Sequence, residues 1–183
     1  MIPAIAEDGS LYPVEKLDAH RRGLLHLAIS VFVFCDGKLL LQQRALEKYH
    51  SPGLWANTCC SHPHWNEGPS IAATRRMQEE LGYVCPLEPV GITEYRADVG
   101  GGLIEHERVH VFAATLSTRP TLAPNPSEVA TTQWLSMPDL AQAIADTPDT
   151  YAQWLKLYMA GKTSPPLEFL APIYNGMASS VST

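Results

Sequence analysis

The sequence of 183 residues lacks any apolar run close to the roughly 20 residues that a bilayer-spanning helix requires. It also lacks a block of lysine and arginine, and its formal net charge is −6, so a nucleic-acid partner is not expected. The N-terminal MIPAIAEDGS lacks the charged and apolar regions of a signal peptide. We therefore expect a cytoplasmic protein, monomeric or weakly dimeric, that binds neither nucleic acid nor membranes.

Cysteine is scarce, with only Cys35, Cys59, Cys60 and Cys85. In a reducing compartment these are expected to be thiols, not a disulfide framework. Two of them are adjacent in the stretch NTCCSHPHWNEG, residues 57–68. This stretch could bind zinc, form a strained disulfide, carry a nucleophile, or pack as a small apolar loop. A zinc site is disfavoured because vicinal cysteines do not easily chelate one ion and the chain has no second C-x-x-C pair.

The composition is that of a globular protein, with 45% hydrophobic and 17% charged residues. The length suits one domain, residues 1–183, and neither a repeat nor a long linker divides it. Residues 162–183 are rich in proline, serine and threonine and are predicted to form a loosely ordered tail.

Hydrophobic patterning predicts a mixed α+β domain. Strands are predicted over 24–34, 38–44, 87–98, 103–117 and 129–135, and helices over 69–82, from Ser136, and over 150–161. For the first helix, Ser70 is the predicted N-cap and Gly82 the predicted stop. The intervening segment 51–68 is predicted to be a long loop, and loops of this length are usually functional.

The predicted helix over 69–82 carries closely spaced charges. Taken alone, they favour a solvated face laced with salt bridges. The wider spacing is informative, because Glu67 is followed by Arg75, Glu79, Glu80 and Gly82 at separations that resemble the Nudix box. Carboxylates clustered on one helix face can hold a hard divalent cation, which in turn holds a diphosphate.

Two positions depart from that pattern. Ser61 occupies the place of the first glycine of the box, and Arg76 occupies the place of a catalytic-helix glutamate. Loss of that carboxylate weakens the case for pyrophosphate hydrolysis. The sequence therefore indicates a Nudix scaffold with altered chemistry.

A second group of polar residues combines carboxylates with imidazoles. Glu105 and Glu107 lie two apart in GLIEHERVHVF and would point to one face of a strand, either towards a cation or into water at a sheet edge. Together with His20, His26 and His62 they could form a mixed nitrogen and oxygen site for Mn²⁺, Zn²⁺ or Mg²⁺. We expect structural or solvated positions for the remaining histidines, which are His50, His64, His106 and His110.

Seven segments, from about Lys16 to Leu157, resemble the type I isopentenyl-diphosphate isomerases in the family's order. They are GLLHLAISVFVF, KLLLQQRALEK, SPGLWANTCCSHP, RRMQEELGY, YRAD, GLIEHERVHVF and TPDTYAQWLKLY. The most specific pieces are NTCCSHP and the E-x-E strand, which together are strong evidence. The resemblance implies a Nudix-type α/β/α sandwich with a mixed central sheet.

The resemblance also implies a role for individual residues. The residues that match the family's catalytic positions are Cys60, Glu107, Tyr95 and Trp154, whereas Cys59 matches a position that need not be cysteine. Its metal ligands are His20, His26, His62, Glu105 and Glu107, and Glu80 helps to hold Mg²⁺ on the diphosphate. Its diphosphate-binding cations are Lys16, Arg44, Lys48 and Arg76.

The implied substrate is a small prenyl diphosphate, and the implied reaction interconverts isopentenyl and dimethylallyl diphosphate by a 1,3-proton shift. An acid and a base on opposite faces of the alkene, Cys60 and Glu107, would perform it. The ring of Trp154 would face the carbocation-like species. Three alternatives remain: a Nudix pyrophosphohydrolase, a non-catalytic binding protein of the same fold, and a divergent isomerase for another prenyl diphosphate.

Overall fold

The computed structural model describes residues 1–170, which contain nine strands and four α-helices. The strands are β1 (Ile2–Ile5), β2 (Leu11–Val14), β3 (His26–Cys35), β4 (Lys38–Arg44), β5 (Trp55–Ala56), β6 (Cys59–Ser61), β7 (Glu88–Asp98), β8 (Ile104–Leu116) and β9 (Val129–Ser136). The helices are α1 (Lys16–Arg22), α2 (Pro69–Leu81), α3 (Met137–Asp146) and α4 (Gln153–Met159). No helix in this part of the chain combines the length and apolarity needed to cross a bilayer.

All nine strands belong to one mixed sheet. Strand β8 lies inside the sheet, parallel to β3 on one side and antiparallel to β7 on the other. Strand β3 also pairs with β1, β4 and β6 in antiparallel fashion. The predicted mixed α+β domain is confirmed, and the E-x-E segment lies on an interior strand instead of a sheet edge.

The two faces of the sheet are covered by different helices, as the alternation along β3 shows. Ile29 and Val31 pack with Met77 of α2 on one face. Ala28 and Phe32 pack with residues of α4 on the other face. Successive strand residues point to opposite faces, so a continuous apolar run marks a strand buried on both sides. The α/β/α sandwich implied by the resemblance is confirmed.

Helix α2 shows how the sequence sets its own boundaries. The predicted N-cap, Ser70, is wrong: Gly68 is the N-cap and Pro69 is the first helical residue. Proline suits that position because its missing N–H has no intrahelical acceptor there. The predicted stop at Gly82 is confirmed, with φ of 63°. A side chain there would be strained and would also approach the carbonyl oxygen of Ala123, which lies 2.6 Å from an ideal Cβ.

The segments without a clear pattern gave the poorest predictions. The predicted loop 51–68 contains the short strands β5 and β6, and the elements β1, β2 and α1 were not predicted at all. Of the predicted loose tail, residues 171–183 lie outside the described residues. Thr163, Leu167 and Leu170 are buried, so the beginning of that segment packs onto the domain.

A surface ion pair fixes the loop before α2, and it gives a prediction about stability. Arg75 donates to both carboxylate oxygens of Glu67 at 2.7 and 2.8 Å, and this hydrogen bonding lowers the pKa of Glu67 from 4.5 to about 2. A carboxyl group with a lowered pKa stabilises the fold above its unfolded pKa, and the stabilisation is lost as the pH falls through the folded pKa.

We expect Glu67→Gln to lower the free energy of unfolding at pH 7 by about 1 kcal/mol, since a partly solvated pair is screened. The difference from the unmodified protein should shrink as the pH falls below 4.5 and vanish only once the pH is below about 2, as urea titrations at several pH values would show. A difference that does not change with pH would mean that the charge of Glu67 contributes nothing.

Candidate active site

Three histidines from different elements meet in one cluster. His20 lies on α1, His26 begins β3, and His62 follows β6; the ring centroids of His20 and His26 are 4.8 Å apart. The turn that brings His20 there ends α1 at Gly23, whose φ of 60° favours glycine. The six-residue spacing between His20 and His26 is therefore closed by a tight helix-to-strand turn.

Backbone hydrogen bonds fix the tautomer of two of these rings. Nδ1 of His20 lies 2.8 Å from the carbonyl oxygen of Lys16, and Nδ1 of His26 lies 2.7 Å from that of Leu24. A carbonyl oxygen only accepts, so both Nδ1 atoms carry the proton and both Nε2 atoms present a lone pair. Nε2 of His20 is buried without a hydrogen-bond partner, and Nε2 of His26 lies 3.2 Å from Nε2 of His62.

The two predicted carboxylates face this cluster. Glu105 and Glu107 of β8 are both buried, as period-two alternation on an interior strand requires. Oε1 of Glu107 lies 2.9 Å from Nε2 of His62, and the hydroxyl of Tyr95 lies 2.8 Å from Oε2 of each glutamate. Tyr95 reaches both because it lies directly opposite Glu107 in the β7–β8 pairing.

The cluster can hold a divalent metal ion. His20, His26, His62 and Glu107 each present a ligand atom, and these atoms all lie within 4.8 Å of one another. Burial lowers the pKa of His20 and His62, which keeps the rings in the neutral form that binds metals. The buried Nε2 atom of His20 has no hydrogen-bond partner, and an unpaired buried polar atom is costly unless a cation satisfies it. The donor set and its orphaned nitrogen therefore fit the predicted metal.

The glutamates have opposite protonation tendencies. Burial raises the pKa of Glu107, but the contacts with His26 and His62 outweigh it and hold that pKa well below its usual value. Burial and the charge of Glu107 raise the pKa of Glu105 well above its usual value. Two carboxylates that share one tyrosine hydroxyl do not readily both ionise, which gives the pair its asymmetry.

Cys60 lies on the same face of the sheet as the histidines. Its thiol donates to Oδ1 of Asn57 at 3.0 Å and lies 3.3 Å from Oγ of Ser30; Asn57 in turn donates to Ser30. Burial raises the pKa of Cys60 to about 12, so the side chain is a protonated thiol at neutral pH. Cys59 points to the opposite face and packs among the apolar residues next to α2. The structure thus separates the two adjacent cysteines.

Of the four predicted diphosphate-binding cations, two lie against aromatic rings. The guanidinium of Arg44 lies 5.3 Å from the ring centroid of Trp154, and Nζ of Lys16 lies 5.1 Å from that of Tyr49. Arg44 also donates to the carbonyl oxygens of Ser51 and His50, which fixes its position. Burial, followed by the charge of Lys48, lowers the pKa of Lys16 to about 8.

The other two cations share a carboxylate. Lys48 lies 2.5 Å and Arg76 3.0 Å from Oε2 of Glu128, a residue for which the sequence gave no signal. Arg76 also donates to Glu80 at 2.6 Å, and Gln42 donates to the other oxygen of Glu80 at 2.9 Å. Glu80 therefore lies beside the cations and not in the histidine cluster.

These residues surround one pocket. Its lining is Lys16, Arg44, Lys48, His50, Cys60, Ser61, His62, Arg76, Tyr95, Glu105, Glu107 and Trp154. His20, His26 and Glu80, also predicted from the sequence, are not part of this lining, although each of the two histidines offers a ligand atom within 4.8 Å of one from Glu107. Cationic groups, a thiol, a carboxylate and an indole ring thus share one small space.

His50 is a site residue that the sequence did not reveal. The sequence predicts a structural or solvated position for His50; the structure buries its side chain, so it is not solvated, and places it in the lining of the pocket. It follows β4 in a segment without periodicity, and no neighbouring motif distinguished it from a surface histidine.

Comparisons with known proteins identify the family of this chain. Residues 24–158 match the NUDIX domain family. The isopentenyl-diphosphate Delta-isomerase of Rhodobacter capsulatus is 54% identical over 160 residues, which cover 87% of this chain and 90% of that protein. The isomerase of the same name from Dinoroseobacter shibae is 52% identical over 155 residues, with 84% and 88% covered. The chain belongs to the Nudix isopentenyl-diphosphate isomerase family.

More distant structures share only the fold. A Deinococcus radiodurans protein aligns over 94% of this chain and 98% of its own, with a TM-score of 0.65 and 15% identity. A MutT NUDIX hydrolase from Burkholderia pseudomallei aligns over 73% of this chain and 94% of its own, with a TM-score of 0.57 and 19% identity. The isomerase-family chain is therefore built on the scaffold that Nudix hydrolases also use.

Proposed function

We propose that this protein interconverts isopentenyl diphosphate and dimethylallyl diphosphate by an acid/base 1,3-proton shift. The observation that carries the proposal is that Cys60 and Glu107 line one pocket with four cationic side chains and the ring of Trp154. Relatives named for this activity, at 54% and 52% identity, support it.

The pocket offers the two proton-transfer groups that an unactivated alkene requires. In the direction of dimethylallyl diphosphate, a proton is added to the terminal methylene and another is removed from the carbon on the other side of the double bond. Cys60 is a protonated thiol that can donate a proton, and Glu107 is a carboxylate that can accept one. One proton given and one taken match a reaction with no net proton change. Tyr95 lies within 2.8 Å of Glu107 and can relay or orient that proton.

The carbocation-like species between these groups has no hydrogen-bond partner of its own. The buried ring of Trp154 provides an electron-rich face, an interaction worth about 2 kcal/mol or more where water is excluded. The guanidinium of Arg44 already lies over that ring, so the indole is positioned beside positive charge in the protein alone.

The cations account for the diphosphate. Lys16, Arg44, Lys48 and Arg76 line the pocket together, and their mutual repulsion is relieved when an anion binds. Arg76 is of particular interest, because it replaces a carboxylate that a Nudix hydrolase would use. Glu80, next to Arg76, is the residue that would help to hold Mg²⁺ on the diphosphate.

The histidine cluster would hold the resident divalent ion through His20, His26, His62, Glu105 and Glu107. When bound, the ion would neutralise the buried carboxylates and fix the orientation of Glu107. Mn²⁺, Mg²⁺ and Zn²⁺ are all candidates, and a donor set rich in imidazole favours a transition metal over Mg²⁺. The predicted cytoplasmic location and monomeric or weakly dimeric state stay predictions from the sequence.

The test is direct. Purified protein loaded with Mn²⁺ or Zn²⁺ is incubated with isopentenyl diphosphate and Mg²⁺ in D₂O and followed by NMR. We expect dimethylallyl diphosphate with deuterium in the new methyl group, and no release of phosphate. Release of phosphate from prenyl or nucleoside diphosphates at a rate that matches isomerisation would instead support a hydrolase. Binding without either reaction would leave only a binding protein.

A further inference from the structure

His50 contacts three residues of the candidate site, which are His20, Trp154 and Arg44. Its ring stacks on His20 with centroids 5.6 Å apart and an interplanar angle of 30°, and its centroid lies 6.1 Å from that of the Trp154 ring, with the two rings nearly perpendicular. The guanidinium of Arg44 donates to its carbonyl oxygen at 3.1 Å, so its backbone is fixed as well. Nδ1 of this buried ring lies 3.3 Å from Oγ of Ser51, so it has a hydrogen-bonding neighbour in its own loop while the ring faces the site.

Both glutamates present their two oxygens to different partners. Oε2 of Glu105 and Oε2 of Glu107 each lie 2.8 Å from the hydroxyl of Tyr95. Oε1 of Glu107 lies 2.9 Å from Nε2 of His62 and 3.5 Å from Nε2 of His26. Oε1 of Glu105 lies 3.7 Å from Nδ1 of His50. The Oε1 atoms thus face imidazoles, and the Oε2 atoms face the tyrosine.

The donor atoms fall into two overlapping sets. One contains His20, His26, His62 and Glu107, and the other contains His20, His50 and Glu105. They share only His20, which has a single free lone pair because its Nδ1–H is donated to Lys16. Two ions cannot both take that lone pair, and without His20 the second set retains only two donors. A dedicated transition-metal site uses at least about three protein ligands, so the two sets serve one ion.

We propose that His50 is a sixth ligand of the metal centre, joining His20, His26, His62, Glu105 and Glu107 around one divalent ion. The inference rests on the metal centre proposed above and adds one residue to it. Four neutral imidazoles and two carboxylates give a centre of no net charge with a divalent ion, which suits its burial.

Six protein donors change what the ion can do. Six is a number of ligands that a divalent ion can accept, and the four nitrogens among them would favour a transition metal over Mg²⁺, which prefers oxygen ligands. A shell filled by protein leaves no position for a substrate oxygen or a water molecule. These six residues would hold the ion and Glu107 together and would leave no ligand position for water, which agrees with isomerisation instead of hydrolysis.

The test measures metal binding in the full-length protein, independently of activity. Apo protein is titrated with Co²⁺ against a chromophoric chelator. We expect His50→Gln to weaken Co²⁺ affinity at least about tenfold. The matched control is His110→Gln, because His110 lies on the same sheet but outside both donor sets. Its Co²⁺ affinity should equal that of the unmodified protein.

The Co²⁺ spectrum separates ligation from packing. A six-coordinate ion has weak visible absorption bands, and loss of one ligand should strengthen them in His50→Gln. In His50→Ala, added imidazole should restore both the affinity and the weak bands. Circular dichroism of each apo variant verifies folding, and His50→Gln decides the question if His50→Ala does not fold.

Two outcomes overturn the assignment, and they are distinct. Unchanged Co²⁺ affinity and absorption in His50→Gln, with weakened binding in His26→Ala, would remove His50 from a centre that otherwise stands. Absence of Co²⁺ binding by the unmodified protein would overturn the metal centre itself, and the assignment of His50 with it.

Discussion

Replacing Cys60 by alanine is expected to lower kcat by a factor of about 10²–10⁴, the usual contribution of a positioned proton-transfer group. Cys60 lines the pocket, and its thiol is held by Asn57 and Ser30, so alanine removes the proton and leaves its hydrogen-bonding partners in place. Binding of the diphosphate should change little, because the cations that hold it lie elsewhere in the pocket. Steady-state kinetics with isopentenyl diphosphate separate the two effects as a loss in kcat at nearly constant KM.

Cys59→Ala is the matched control. Cys59 is fully buried on the opposite face of the sheet, so the change leaves a small cavity and should cost stability without a comparable loss of kcat. Thermal melts of both variants show whether either one is unfolded. An equal loss of kcat in the two variants would show that the wrong cysteine has been assigned to proton transfer.

Glu107→Gln is expected to have an effect of similar size, about 10²–10⁴ on kcat. Glutamine keeps the shape of the side chain but cannot accept a proton, and it is a weaker metal ligand. The loss should therefore persist at saturating Mn²⁺. Measuring kcat as a function of added Mn²⁺ distinguishes a missing proton acceptor from a merely depleted metal.

Glu105→Gln provides the comparison. Glu105 has the same Tyr95 contact and the same burial, yet its proposed role is to hold the metal and not the proton. Added Mn²⁺ should restore a large part of its activity. Full recovery of Glu107→Gln under the same conditions would reduce Glu107 to a metal ligand and would require another proton-transfer partner for Cys60.

The direction of side chains could be predicted best on strands, where the period of two allows only one arrangement. Residues two apart on a strand must face the same side, so Glu105 and Glu107 were expected to converge, and they do. The same rule separates Cys59 from Cys60 once β6 is recognised as a strand. The roles of these residues came from a family resemblance, since spacing alone left a solvated edge strand equally possible.

The poorly predicted parts depend on tertiary contacts. His50 enters the site because its loop is held by Arg44, a contact between residues whose proximity no pattern shows. Glu128 follows a segment without periodicity and meets Lys48 only across the fold. The prediction of Ser70 as the N-cap of α2 is wrong because Pro69 is itself the first helical residue. The helix therefore begins one residue before Ser70, with Gly68 as its N-cap.

The turn at Gly23 separates the N-terminal segment from the part of the chain that matches the NUDIX family. The NUDIX match begins at residue 24, immediately after this turn, whereas Lys16 and His20 precede it. The first segment of the chain is thus an addition to the Nudix core, joined to the sheet by the pairing of Ala4 with His26. An ion bound by both His20 and His26 would link this N-terminal segment to the Nudix core. Loading of the proposed metal and docking of the N-terminal segment would then be a single linked equilibrium, in which each event strengthens the other.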